Sequence, residues 1–126
     1  MTELSMFNPV TALSGDVRVI PVIIPTDAAV PTAFADLGTS RLSRIVMPAS
    51  WTTANLTVQT SYDGLTGNDL YDSSGDEYVI TAAASRAIKV PLIDFISERF
   101  IKLRSGTTGS PVNQAADRTL YLICQL

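Results

Sequence analysis

Residues 61–80, SYDGLTGNDLYDSSGDEYVI, hold the densest set of groups able to do chemistry. Five carboxylates stand there, Asp63, Asp69, Asp72, Asp76 and Glu77, with Asn68 among them. Calcium needs several oxygen ligands converging on one point. The oxygens are numerous enough, but their spacing departs from the D-x-[DN]-x-[DN]-G loop of an EF-hand. The same stretch contains Asp63-Gly64, Gly67-Asn68 and Gly75-Asp76. These dipeptides make turns unaided, because Asp and Asn bond nearby backbone and Gly accepts positive φ. Turns are therefore expected here, and no metal.

A second chemistry is sugar binding. Trp51, Tyr62, Tyr71 and Tyr78 stand near Asp and Asn. A ring can stack on a sugar face while amides and carboxylates take its hydroxyls. Trp51, Tyr62 and Asp63 are the candidate glycan contacts on this alternative. Against it, the sole tryptophan of a small domain more commonly plugs the core.

Catalysis has less to work with. The chain contains no histidine. Ser–His and Cys–His pairs are thereby impossible, and the commonest transition-metal ligand is missing. No S-x-x-K is present for a Ser–Lys pair, and GTTGSPVNQ (residues 106–114) lacks the lysine of a P-loop. Cys124, the one cysteine, lies in the apolar run LYLICQL, where it reads as a buried small hydrophobe. No enzyme, catalytic residue or cofactor is expected.

The elements that would position these groups are strands. VRVIPVIIP, residues 17–25, is β-branched and apolar, and its internal Pro21 suits an edge strand. Residues 25–40 read as a long loop or a short strand between turns. RLSRIVMP is a strand ending at Pro48. NLTVQTS alternates: Leu56, Val58 and Thr60 on one face, Asn55, Thr57 and Gln59 on the other. LYD and EYVIT are short strands, RAIKV follows, and LIDFISE is one helical turn or a crossover. RFIKLRS puts Ile101 and Leu103 inward, with Phe100, Lys102 and Arg104 outward. RTLYLICQL puts Leu120, Leu122, Cys124 and Leu126 on one face and Tyr121 with Ile123 on the other. A strand apolar on both faces is central in a sandwich or covered by another chain. Seven to nine short strands separated by Gly, Asn, Asp and Ser turns predict an all-β antiparallel sandwich with little helix. At 126 residues it is one domain, assigned to residues 17–126 with residues 1–16 as an N-terminal arm.

The composition adds a constraint. Apolar residues make up 46 %, but charged residues only 17 %, below the roughly 25 % of ordinary soluble domains. Some outer surface must then be apolar, which is the mark of association. The net charge of −3 and the lack of a basic cluster beyond RFIKLR argue against nucleic acid. No apolar run approaches the roughly 18 residues of a membrane span. The opening MTELSMFNPV lacks the basic and apolar regions of a secretory signal, so synthesis in a cytoplasm is expected.

Two segments also carry a resemblance. MPASWTTANLTVQTSYDGLTGNDLYDSSGDEYVI (residues 47–80) and RFIKLRSGT (residues 99–107) resemble a recurrent pattern in small virion proteins of tailed bacteriophages and prophages. There an L-x-V-Q-x-S-x-D-G strand precedes L-Y-D-x-x-G and then R-[FY]-[IL]-K-[LV]-R-S-G. Similar S-x-D-G strands occur in discoidin-like and carbohydrate-binding jelly rolls. The resemblance covers the later two-thirds of the chain and leaves residues 1–45 unmatched. It implies a jelly-roll-like sandwich with a structural place on a phage particle, such as head decoration, fibre base, or neck or tail accessory.

The expectation is thus a non-enzymatic virion subunit that self-associates, as a trimer, and touches other virion proteins such as the major capsid or neck protein. A carbohydrate-binding module is the alternative. The interface residues expected are Met6, Phe7 and Val10 of the arm, Ile20, Val22 and Ile24 of the edge segment, and Tyr121 with Ile123.

Overall fold

The computed structural model describes residues 16–126. Met6, Phe7 and Val10, with the rest of the arm before residue 16, lie outside the described residues. Among those described there are nine strands: β1 (Val17–Ile24), β2 (Ala35–Asp36), β3 (Arg41–Val46), β4 (Leu56–Ser61), β5 (Asn68–Asp69), β6 (Val79–Ile80), β7 (Ala87–Lys89), β8 (Phe100–Ser105) and β9 (Arg118–Gln125). One 3-10 turn, Leu92–Phe95, falls between β7 and β8.

The strands form two antiparallel sheets. The first has the order β1-β9-β3-β7 and the second β2-β8-β4-β5, with β6 also on β4. β5 pairs with Gln59 and Thr60, and β6 with Leu56 and Thr57. These two short strands therefore share one edge of β4 as a single interrupted strand. Counted so, each sheet has four strands, and the order is that of a jelly roll.

Side-chain alternation then builds the core between the sheets. Leu56, Val58, Ile101 and Leu103 come from the second sheet, and Leu42, Ile45, Leu120, Leu122 and Cys124 from the first. All are buried. The 3-10 turn adds Phe95, fully buried, whose ring meets Tyr78 edge-on at 5.7 Å. Trp51 packs against this core and donates its indole N–H to the Ala54 carbonyl at 3.0 Å. The alternation read from β4, β8 and β9 is the alternation found, except that Leu126, expected inward, lies beyond the end of β9 and is 49 % exposed.

β1 is different. It is the edge strand that Pro21 requires, but its faces are not those expected. Ile20, Val22 and Ile24 face inward: Ile24 is 0 % exposed, and the other two pack on the core. The outward set is Val17, Val19, Pro21 and Ile23. The cause is register. Ile20 lies opposite Leu122 and Val22 opposite Leu120, both core residues of β9. With a side-chain period of two, the partner strand decides which half of an all-apolar strand is core.

Candidate functional site

The acidic stretch resolves into turns and a clamp. Asp63 accepts the amides of Leu65 and Thr66 at 2.8 Å each, and Ser61 Oγ accepts that of Gly64 at 2.9 Å. The amide of Thr66 foremost, and that of Leu65 next, hold the Asp63 carboxyl down to about 2. Asp72 accepts the amides of Ser74 and Asp76 at 2.9 and 3.0 Å. Asp69 and Glu77 instead hold Arg104. Its guanidinium donates to Asp69 and Glu77 at 2.8 Å each, to Thr108 Oγ1 at 2.8 Å and to Thr57 Oγ1 at 3.0 Å. Arg104 is buried beneath them although it belongs to the outer face of β8. Among the described residues, no group of three or more His, Cys, Asp or Glu side chains is placed to hold a metal ion.

Arg104 thereby ties the outside of the second sheet to the loops over it. The rest of that face is mixed, with charged groups laid over two rings and Val79 exposed opposite Thr57. Lys102 lies over the Phe34 ring at 4.5 Å, and Arg99 pairs with Asp36 at 2.9 Å while stacking on Phe100 at 4.8 Å. The Arg99 hydrogen bond, with the amide of Gly38, holds Asp36 down to about 2. This face has its charges and hydrogen bonds largely answered within the chain.

The candidate glycan residues are not brought together. Trp51 precedes β4 and Tyr62 follows it, so they sit at opposite ends of a strand about 20 Å long. Trp51 is partly buried against the core, whereas Tyr62 is 83 % exposed. Asp63 stays beside Tyr62, but its Oδ1 accepts two amides of its own loop and its Oδ2 accepts the Thr66 hydroxyl at 3.3 Å.

What stands open is the outer face of the first sheet. Its registers stack side chains in rows. Val19, Ile123, Arg44 and Lys89 form one row, and Pro21, Tyr121, Val46 and Ala87 the next. Val17 and Arg41 flank the first row on either side of Gln125, and Ile23 lies beside Thr119. Val19 is 53 % exposed, Ile23 52 % and Tyr121 43 %. Ile123 is nearly covered by its neighbours. Of the interface residues expected in β1 and β9, Tyr121 alone is well exposed, and the signal missed was Val17, Val19 and Ile23. A β-bulge between Leu42 and Arg44 turns Arg44 outward. Next to it is a depression of about 490 Å³ lined by Ser43, Lys89, Val90, Pro91 and Leu92.

The electrostatics of this face are one-sided. β1, β3, β7 and β9 contain no Asp or Glu. Arg41, Arg44 and Lys89 are exposed and have no ion-pair partner among the described residues.

No family model matches the chain, and comparison with curated proteins and with solved structures finds no match either. The class is therefore defined by the fold: an all-β jelly-roll sandwich, with paired charges outside one sheet and apolar rows with basic residues outside the other.

Proposed function

We propose that the protein is a non-enzymatic structural subunit of a tailed-phage particle, assembled in several copies through the outer face of its first sheet. The observation that carries this is the row structure of that face: Val17, Val19, Pro21 and Ile23 beside Tyr121 and Val46. A monomer gains nothing by exposing such rows, whereas an assembly buries them. The resemblance of residues 47–80 and 99–107 to phage virion proteins supports the phage setting. Jelly rolls also recur in viral capsid domains, which is support by analogy of fold. A symmetric ring, a trimer in the simplest case, is the proposed form, with major capsid or neck proteins as further partners.

Light scattering on the purified protein tests the first half. The wild type is expected as a discrete oligomer. The double variant Val19→Asp/Tyr121→Asp is expected as a folded monomer with unchanged far-ultraviolet circular dichroism. Cosedimentation with particles stripped of accessory proteins tests the second half. A wild type that is monomeric up to high concentration and binds no particle overturns the proposal.

A further inference from the structure

The form of that contact can be taken further, on the reading that the first sheet's outer face mediates assembly. Two copies of this face cannot meet well face to face. A two-fold contact would bring Arg41, Arg44 and Lys89 of both copies into one interface with no carboxylate on any of its strands. Like charges placed together cost several kcal/mol and steer partners apart.

A complementary surface exists elsewhere on the chain. The β4–β5 loop projects Tyr62, 83 % exposed, and Leu65, 86 % exposed. Among the described residues these are the two most exposed large hydrophobic side chains, ahead of Ile93 at 74 %, and they stand on one loop. The loop beneath them is already ordered by the Ser61 and Asp63 bonds to its amides, so seating it would cost little entropy. Its own carboxylate is Asp63; of the four others in residues 61–80, Asp69 and Glu77 pair with Arg104, and Asp72 and Asp76 lie in the turn after β5. The depression beside Lys89 offers Val90, Pro91 and Leu92 to an apolar side chain, with basic residues alongside.

We propose a head-to-tail contact: the β4–β5 loop of one copy, led by Tyr62 and Leu65, seats on the outer face of the first sheet of a second copy, next to Lys89 and Arg44. Such a contact is heterologous and closes into a ring when its rotation permits, as every trimer requires.

The test uses two variants of the full chain and their mixture, followed by light scattering at matched concentration. Arg44→Glu/Lys89→Glu spoils the face, and Tyr62→Ser/Leu65→Ser spoils the loop. All four positions are exposed, and circular dichroism checks that both variants fold. Each variant alone is expected to dissociate at about tenfold or more the wild-type dissociation concentration. An equimolar mixture is expected to give dimers and nothing larger, because one intact loop and one intact face remain between them. Raising salt from low to molar is expected to loosen the wild-type oligomer. A wild-type oligomer that survives the loop substitutions, or a mixture that stays monomeric, overturns the head-to-tail contact while leaving assembly through the face intact. A wild type that never associates overturns both.

Discussion

Arg104 shows how one side chain organises a region. Its five donors reach two carboxylates and two hydroxyls, a fork that a lysine cannot reproduce. Arg104→Met is expected to cost about 2–3 kcal/mol in urea unfolding, less than for a fully buried cluster because Asp69 keeps some solvent. Arg104→Lys should recover only part of that loss. Gly106 closes the same strand at φ +88°, where an added Cβ would come within 2.5 Å of the Ser110 carbonyl oxygen. Gly75 has φ +89° but open space around it. Gly106→Ala should therefore cost more than the roughly 1–2 kcal/mol of backbone strain alone, and Gly75→Ala about that strain. The turn function of Asp63 was legible from Gly64 beside it, whereas the acceptor of the next turn is Asp72 and not Asp76 of the Gly75-Asp76 pair. Arg104's burial was not legible, because Asp69 and Glu77 lie 35 and 27 residues from it in the chain.

Asp36, Asp63, Asp69 and Asp117 all have carboxyls below their ordinary value of 3.8, Asp69 chiefly through Arg104 and Asp117 through the amide of Thr26. A depressed carboxyl binds its proton more readily in the unfolded chain. Its stabilisation is complete above the unfolded pKa of roughly 4 and drains away as pH falls toward 2. The urea midpoint should hold level from neutral pH to about 5 and then fall. Asp63→Asn should be less stable than wild type at neutral pH, and its midpoint should converge on the wild-type value near pH 2.

At the scale of elements, contrast decides what a sequence discloses. β4 and β8 mix polar and apolar positions, so their inward faces were legible. β1 has no such contrast, since Ile23 and Ile24 look alike in sequence and differ only in register against β9. Adjacent substitutions measure the difference. Ile24→Ala should lose about 2–5 kcal/mol, whereas Ile23→Ala should stay within about 0.5 kcal/mol in the dissociated protein. β5 and β6, two residues each, owe their position to the open edge of β4 and not to strand propensity.

At the scale of the molecule, a sealed interior sits beneath unequal exteriors. Cys124 is fully buried and burial pushes its thiol up. Labelling by a thiol reagent should be slow in the native protein and accelerate with denaturant in step with global unfolding. Labelling that is fast without denaturant would mean that the strand pair β1–β9 opens locally. The jelly roll was legible as many short strands between turns, but the division into a charge-paired and an apolar, basic exterior depended on which strands share a sheet.

Pro21 sits midway along the outermost strand of the apolar sheet, where it has no N–H to offer a newcomer. Sheets of neighbouring molecules are thus hindered from zipping into one continuous ribbon along that margin. On the assembly proposed above, such an edge would favour reversible docking by side chains over irreversible fibre formation. Replacing Pro21 by valine would remove this brake, and the first sign should be precipitates that bind amyloid dyes.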